Sequence, residues 1–325
     1  MSEFEMIAEY FVPLTMGRAE TADLKDDAAV LSIPKGCELV VTSDTLNEGV
    51  HFMKGEAAHN IAHKALRVNL SDLAAMGAKP LCYQLCTSFP KKPDEEWLEA
   101  FTGALLKDQK EYGLFCSGGD TTSQEGLISI SITAMGLVPK GKAMRRDGAC
   151  VGDSIVLTGP LGDAVLGWMS LKARAKGDED MPLYGEAIQH YHMPHPRLEA
   201  VDIIRKYVHA ASDISDGAIA DIGHICVASH VGAQIETLGL KASKEVQHAL
   251  EENILSIEKI LTSGDDYELL LAVPPENIEP LINELKRIGL NPCVIGTFQE
   301  KKAGFQVFDP SGQEIGVQEK GWQHF

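Results

Sequence analysis

The sequence has 325 residues, of which 47 are acidic and 29 basic, so its formal net charge is −18. The length favours two domains, and the negative charge argues against nucleic acid or an anionic membrane as the main partner, because both require a basic surface. The seven cysteines include no C-x-x-C pair. With no signal-peptide pattern and no apolar run of about 18 residues, we expect a cytoplasmic protein outside the membrane.

Four elements are predicted in the N-terminal half of the chain. Residues 38–43 form an apolar run that predicts a short buried strand. Helical periodicity over 57–76 ends at Gly77, a residue that suits a left-handed helix cap. A second helix is predicted over 94–112, and the alternation of apolar and small polar side chains over 127–135 is typical of a half-exposed strand.

A stretch rich in glycine, proline and basic residues separates the two halves. It predicts a first domain over 1–139, a linker over 140–150 and a second domain over 151–325. In the second domain the alternation of helical and strand patterns predicts mixed α/β layers. The helices are expected near 163–175, 184–191, 197–208, 216–230 and 276–288, and the strands near 153–158, 232–236, 268–273 and 292–296.

Aspartates recur in six short polar motifs that lie at element ends or in turns. Carboxylate and hydroxyl oxygens are ligands that Mg²⁺ prefers. Helix capping and turn formation would explain any single motif, but six together favour a magnesium–phosphate site. The motifs are Asp26-Asp27, Thr42-Ser43-Asp44-Thr45, Asn69-x-Ser71-Asp72, the predicted glycine turn Gly118-Gly119-Asp120, Asp213-x-Ser215-Asp216-Gly217 and Gly264-Asp265-Asp266-Tyr267-Glu268.

The motif that begins with Asp213 has a second interpretation. A helix that starts after it would direct free backbone N–H groups toward an anion, and Ser215 could add a hydroxyl group. Because carboxylates repel phosphate, a metal ion would have to lie between them. The motif therefore predicts a metal-bridged phosphate.

One stretch resembles a phosphate-binding loop without meeting its requirements. Residues 136–143 nearly match G-x-x-x-x-G-K-[ST], but Ala143 lacks the hydroxyl that would bind magnesium and Pro139 removes an N–H group. We reject a phosphate-binding loop here. Arg145 and Arg146 can still bind phosphate oxygens, or they can belong to a solvated linker.

The six motifs, in this order, resemble the thiamine-monophosphate kinases from about residue 4 to the chain end. That family belongs to an ATP-binding superfamily with aminoimidazole ribonucleotide synthetase and selenophosphate synthetase. The resemblance implies an α/β (α+β) fold with an N-terminal domain whose sheet pairs with a second subunit, hence a homodimer, and a C-terminal α/β domain. The implied reaction is phosphorylation of thiamine monophosphate by ATP with Mg²⁺.

The resemblance also implies a role for each residue that matches a family motif. The implied magnesium ligands are Asp27, Thr42, Asp44, Asp72, Asp120, Asp213 and Asp216. The implied ATP contacts are Ser43, Tyr112, Gly119, Asp120, Arg146 and Ser215, and the implied substrate contacts are His51, Asp265 and Trp322. Of these, we expect Asp120, Asp213 and Arg146 to be catalytic.

Two positions depart from the family pattern, and two other functions stay open. Lys25 and its neighbours stand where the family usually has glycines, and Asp265 stands where it usually has glutamate. One alternative is another ATP-dependent synthetase of the same superfamily. The other is a non-catalytic protein that binds magnesium and a nucleotide.

Overall fold

The computed structural model describes residues 2–316 and Gly321, and it divides them between two compact units. The first unit comprises Met1–Leu73 and Ala78–Gly141, and the second comprises Ala74–Gly77 and Lys142–Phe325. Each unit contains one β-sheet with helices, so the predicted mixed α/β fold is confirmed. The domain bounds predicted above (1–139, 140–150 and 151–325) remain a prediction from the sequence.

The first unit is built on a four-stranded sheet with the order β1-β4-β2-β3. β4 pairs antiparallel with β1 and β2, whereas β2 and β3 are parallel. The strands are β1 (Cys37–Asn47), β2 (Lys79–Phe89), β3 (Phe115–Ser123) and β4 (Ser129–Pro139), and the helices are α1 (Glu3–Met6), α2 (Ala58–Ala75) and α3 (Glu95–Tyr112). Between α1 and β1 the chain forms short helical turns over Ile7–Phe11, Val12–Thr15 and Ala19–Leu24.

Helices α2 and α3 cover one face of this sheet. The Asp108 carboxylate on α3 accepts hydrogen bonds from Arg67 on α2, at 2.7 Å and 3.0 Å, and from β2 the Tyr83 hydroxyl contacts Gln109 of α3 at 3.2 Å. Alternate residues of β4, among them Ile130 and Ile132, are fully buried on this face. The opposite face carries hydroxyl side chains such as Ser43 and Ser131 together with the exposed apolar side chains Leu39 and Val41.

The predicted ends of α3 are confirmed. The Asp94 carboxylate accepts a hydrogen bond from the Trp97 N–H at 2.8 Å, and Gly113 ends the helix with a φ of 74°. The helix predicted over 57–76 is confirmed as α2, with Gly77 at a φ of 67°. These ends form as expected because each capping residue satisfies backbone groups that the helix leaves unpaired.

The second unit is built on a six-stranded sheet with the order β10-β7-β9-β5-β8-β6. β5 and β8 are buried along their whole length, and their alternate residues enter two separate apolar clusters. Helices cover both faces, which explains why these strands read as continuous apolar runs. The strands are β5 (Ser154–Leu157), β6 (Ala210–Asp213), β7 (Val231–Glu236), β8 (Leu269–Val273), β9 (Cys293–Glu300) and β10 (Phe305–Phe308).

The helices of the second unit match the predicted ones and add two. α8 and α9, and the strands β6 and β10, were not predicted. The helices are α4 (Asp163–Ala175), α5 (Gly185–His192), α6 (Val201–Tyr207), α7 (Ala218–Ser229), α8 (Lys244–Glu251), α9 (Ile257–Thr262) and α10 (Ile278–Arg287). Within the described residues, none of the helices has both the length and the apolar character needed to cross a membrane.

Candidate functional site

Three predicted magnesium ligands of the first unit come together where α2 lies on β1. The Thr42 hydroxyl donates to the Asp72 carboxylate at 2.5 Å. Two residues further along β1, the backbone N–H of Asp44 donates to the Asn69 side chain at 3.1 Å. Asn69 is fully buried and fixed by its own bond to the Ala65 carbonyl group. A strand and a helix therefore hold this group of oxygen atoms.

Ser43 lies on the other face of the sheet, because side chains alternate along a strand. Its hydroxyl contacts that of Thr133 on β4 at 3.0 Å, and the Thr45 hydroxyl contacts that of Ser131 at 2.7 Å. The open face of the sheet is thus lined by hydroxyl groups. Ser43 belongs to this surface, whereas Thr42 and Asp72 belong to the helix-covered side.

The predicted glycine turn at 118–120 is wrong, because these residues form the middle of β3. Gly119 pairs with Leu85 so closely that a Cβ atom on Gly119 would lie 1.8 Å from the Leu85 carbonyl oxygen. Glycine therefore permits strand pairing here instead of a turn. Asp120 pairs with Cys86 on the open face and is exposed.

Asp120 and Asp27 line one cavity of about 320 Å³ in the first unit. Asp27 is exposed in an irregular segment between the N-terminal turns and β1. Gly119 also lines the cavity, together with Thr21 and Phe11 from the N-terminal turns. The cavity thus joins a predicted metal ligand of the first motif to the predicted catalytic aspartate of β3.

His51 and Tyr112 lie elsewhere in the first unit. The Nδ1 atom of His51 accepts a hydrogen bond from the Asn47 N–H at 3.0 Å, which leaves Nε2 to carry the proton of the neutral ring. Tyr112 is the last residue of α3; its hydroxyl is buried and the Arg67 guanidinium lies 5.4 Å from its ring centre. An ATP contact by Tyr112 would therefore use the ring and not the hydroxyl group.

In the second unit, the loop 213–217 is paired with the loop 264–268. The Asp265 N–H donates to the Ser215 carbonyl oxygen at 3.0 Å, and the N–H of Tyr267 donates to the Ile214 carbonyl oxygen at 2.9 Å. A Cβ atom on Gly264 would lie 1.9 Å from the Ser215 carbonyl oxygen, so the close approach requires glycine. The structure thereby brings a predicted substrate contact, Asp265, beside a predicted ATP contact, Ser215.

Arg146 lies in the second unit at the start of a short helical turn. Its Nε atom donates to the Ser212 hydroxyl at 3.0 Å, and its carbonyl oxygen accepts from the Ser229 hydroxyl at 2.6 Å. Arg145 forms an exposed ion pair with Asp147 at 3.3 Å instead. Arg145 contacts β6 through its carbonyl oxygen, which accepts the Ala211 N–H, whereas Arg146 directs its side chain to this strand, which ends at Asp213.

A buried aspartate that the sequence analysis missed holds the loop 213–217. One Asp221 oxygen, Oδ2, accepts the N–H groups of Ser215 and Asp216, each at 3.2 Å. A carboxylate of the chain therefore already binds the N–H groups of these two loop residues, and the predicted anion at the helix start stays a prediction for the N–H groups of α7 itself. Burial, together with the neighbouring charge of Asp216, raises the pKa of Asp221 to about 7.

Two further buried acids support the loop 264–268, in which Asp265 and Tyr267 have φ angles of 71° and 51°. Asp266 accepts the N–H groups of Gly162 and Ala164 at the start of α4, at 2.9 Å and 3.2 Å. Glu268 forms a buried ion pair with Arg197. These contacts fix a loop whose backbone is strained. The remaining predicted substrate contact, Trp322, lies outside the described residues.

The donor atoms available in both units suit magnesium. The side chains of the predicted ligands offer only carboxylate and hydroxyl oxygens, and the shortest contact among them joins Thr42 to Asp72. Mg²⁺ prefers such oxygen atoms and keeps several of its waters. Two groups of side chains in the second unit also lie close enough together to hold a metal ion. One (Cys150, Asp153 and His209) offers sulfur and nitrogen donors, and the other joins the predicted ligand Asp216 to Asp221 and His224.

The chain is similar to known proteins over almost its whole length. Residues 25–138 match the AIR synthase related protein, N-terminal domain, and residues 151–308 match the AIR synthase related protein, C-terminal domain. The thiamine-monophosphate kinase of Caulobacter vibrioides is 35% identical over 99% of this chain and 91% of its own length.

Two solved structures extend this similarity to the fold. The thiamine-monophosphate kinase of Stenotrophomonas maltophilia K279a superimposes with a TM-score of 0.82 at 34% identity, over 97% of this chain and 98% of that one. AaThiL complexed with AMPPCP and TMP superimposes with a TM-score of 0.77 at 29% identity, over 100% and 99%.

Proposed function

The chain belongs to the thiamine-monophosphate kinase family of AIR synthase related proteins, and from that premise we propose that it phosphorylates thiamine monophosphate to thiamine diphosphate with ATP. The observation that carries this proposal is the pairing of the loops 213–217 and 264–268. It places Asp265, the proposed substrate contact, one hydrogen bond from Ser215, the proposed nucleotide contact. A phosphoryl donor and its acceptor need such neighbouring contacts.

Each unit contributes residues to the proposed chemistry. In the first unit the proposed metal ligands are Asp27, Thr42, Asp44, Asp72 and Asp120, and in the second they are Asp213 and Asp216. Ser43, Tyr112, Gly119, Arg146 and Ser215 are the proposed ATP contacts, and His51, Asp265 and Trp322 the proposed substrate contacts. Magnesium bound to such oxygen ligands neutralises phosphate charge and orients the reacting groups.

The acceptor itself explains why no general base is needed. The second pKa of a phosphate monoester is about 6, so the attacking oxygen of thiamine monophosphate is largely ionised at pH 7. We propose a direct in-line transfer in which Arg146, fixed by Ser212 and by its carbonyl bond to Ser229, balances charge on the transferred group. His51, whose Nδ1 accepts the Asn47 N–H, is the proposed contact of the first unit to the substrate.

We further propose that the active form is a homodimer, formed through the open face of the first unit's sheet. On that face of β1, Leu39 and Val41 are 41% and 56% exposed. Exposed apolar side chains on an uncovered sheet are typical of an interface. Light scattering of the purified protein tests this, and Val41→Asp is expected to yield monomers.

The seven free thiols support a reducing compartment such as the cytoplasm.

The test of the proposed function is an assay with purified protein, ATP, Mg²⁺ and thiamine monophosphate. We expect equimolar thiamine diphosphate and ADP, no label retained on the protein from γ-³²P-ATP, and loss of turnover when EDTA removes the metal. Consumption of ATP only with a different acceptor would select a sister synthetase. Magnesium-dependent binding of ATP without turnover on any phosphate acceptor would select the non-catalytic alternative.

A further inference from the structure

Asp221 is a carboxylate in the core that faces the backbone of the loop 213–217. It lies on the first turn of α7, after the N-cap Gly217, and its side chain is fully buried. Its Oδ2 atom accepts two N–H groups from the loop, while its Oδ1 atom is buried with no hydrogen-bond partner among the described residues. A buried carboxylate with one unsatisfied oxygen destabilises a fold, so the contact with the loop has to offset that cost.

The contact resembles a capping box displaced by one residue. In a capping box, an acid at the third helical position reaches back to the N–H group of the cap. Here the acid is at the fourth position and reaches the two residues before the cap, Asp216 and Ser215. The carboxyl group therefore lies on the protein side of the loop and occupies two N–H groups that precede the helix.

We propose that Asp221 is a positioning residue that adapts the loop 213–217 to bind a cation instead of an anion. By occupying the N–H groups of Ser215 and Asp216, it removes them as phosphate donors. It also fixes the backbone from which the side chains of Asp213 and Asp216 project. Phosphate then binds at this loop through a divalent ion held by carboxylates, with no direct contact to the N–H groups of Ser215 and Asp216.

This inference rests on the proposed function only in taking Asp213 and Asp216 as metal ligands, so its test does not require turnover. The probe is Mn²⁺ with the non-hydrolysable nucleotide AMPPCP, titrated by electron paramagnetic resonance. Hydrogen exchange of the peptide that contains 213–217 gives a second readout. Failure to phosphorylate thiamine monophosphate would overturn the proposed function and leave both readouts intact.

Three substitutions separate the roles of the side chain. Asp221→Ala removes the acceptor, Asp221→Leu does so while filling the space, and Asp221→Asn keeps an oxygen that can accept the same two N–H groups. For Ala and Leu we expect Mn²⁺ binding to weaken about 10- to 100-fold, as for other residues that orient metal ligands, and the amides of Ser215 and Asp216 to exchange faster. We expect Asp221→Asn to bind Mn²⁺ within about threefold of the unmodified protein and to protect these amides.

The control is Glu245→Ala, which removes a half-buried carboxylate from the first turn of α8 in the second unit. Glu245 accepts the Ala187 N–H at 2.8 Å, outside the two paired loops. Its removal should lower the melting temperature and leave Mn²⁺ binding unchanged. The proposal is overturned if folded Asp221→Leu binds Mn²⁺ like the unmodified protein, if Asp221→Asn is as impaired as Asp221→Leu, or if Glu245→Ala weakens Mn²⁺ binding equally.

Discussion

The two units present their proposed ligands in different ways. In the first, Thr42 and Asp44 lie on β1, Asp72 on α2 and Asp120 on β3, so regular elements determine where four of the five side chains point. The fifth, Asp27, lies in an irregular segment. In the second, Ser215, Asp216 and Asp265 lie in loops, and Asp265 has a positive φ. A strand or helix is fixed by its own ladder of hydrogen bonds, whereas a loop has to be fixed by side chains around it.

The supporting acids of the two units differ accordingly. In the first unit the buried Asp108 is paired with the Arg67 guanidinium and with His63. In the second, the buried Asp221 and Asp266 bind backbone N–H groups of loops or of a helix start. We therefore expect a substitution of one ligand in the first unit to alter the chemistry of that ligand alone. A substitution beside the loops 213–217 and 264–268 should instead displace several proposed ligands together.

The largest expected effect is a fall in kcat without loss of the fold, from Asp120→Asn in the first unit. Asp120 is exposed in the middle of β3, so the amide should fit without disturbing the fold. Loss of a metal ligand removes several kcal/mol of transition-state stabilisation, and we expect kcat to fall by about 10³-fold. The control is Glu125→Gln, an exposed acid just beyond β3. Unchanged kcat in Asp120→Asn would remove this residue from the proposed metal site.

The next largest effect is expected from Gly264→Ala, which tests the pairing of the loops 213–217 and 264–268 in the second unit. In Gly264→Ala the new methyl group would lie 1.9 Å from the Ser215 carbonyl oxygen, so the two loops have to separate. We expect a loss of about 1–3 kcal/mol in the free energy of unfolding and a fall of up to about 100-fold in kcat/KM for thiamine monophosphate.

Gly223→Ala is the matched control for that substitution. Gly223 lies on α7, where a Cβ atom would meet nothing within 4 Å. Alanine is the better helix former, so we expect a gain of about 0.5–1 kcal/mol and unchanged kinetics. Equal kinetics for both variants would show that the pairing of the two loops is dispensable.

The sequence predicted the regular elements of this comparison better than the loops. α2 and α3 were predicted with their ends because Asp94, Gly77 and Gly113 are strong capping residues. β2 was missed, since a proline at position 80 argues against a central strand. The structure accommodates Pro80 at a shift in the pairing between β2 and β4.

The sequence led to proposed ligands for the candidate site but to none of the buried residues that support its loops. The order of the aspartate motifs identified the family, although Gly118-Gly119 was interpreted as a turn. Nothing in the sequence shows that Gly119 is needed for a close approach to Leu85 and not for a turn. Asp221 was missed because its partners precede it by five and six residues, outside the spacing of a capping box.

A smaller effect is expected within the first unit from removal of one hydroxyl group. Thr42→Val keeps the shape of the side chain but leaves the Asp72 carboxylate without its donor at 2.5 Å. Hydrogen bonds to charged groups contribute about 1.5–3 kcal/mol, so we expect at least a tenfold fall in kcat/KM at limiting Mg²⁺. Thr42→Ser retains the hydroxyl and should stay close to the unmodified protein. Similar kinetics for the two variants would argue against a role for the hydroxyl.

The stability of the two units is expected to respond to pH in opposite directions. Burial alone would raise the pKa of Asp108, but hydrogen bonds from His63 and Arg67 and the charge of Arg67 outweigh it and lower that pKa. The resulting stabilisation is present above the ordinary aspartate pKa of about 3.9 and is lost as the pH falls further. Burial raises the pKa of Asp266 well above its ordinary value. In the unfolded chain Asp266 ionises at lower pH, so the second unit gains stability as the pH falls from 7 to 5.

Urea unfolding in EDTA at pH 7, 5 and 3.5 measures both responses. A variant with Trp168 and Trp322 replaced by phenylalanine leaves Trp97, which stacks on Phe101 in the first unit, as the reporter. A variant with Trp97 and Trp322 replaced leaves Trp168 on α4 of the second unit. We expect the Trp168 signal to report greater stability at pH 5 than at pH 7, and Asp266→Asn to reduce that gain. The Trp97 signal should lose stability only below about pH 4, because the charged partners of Asp108 lower its pKa whereas burial raises the pKa of Asp266.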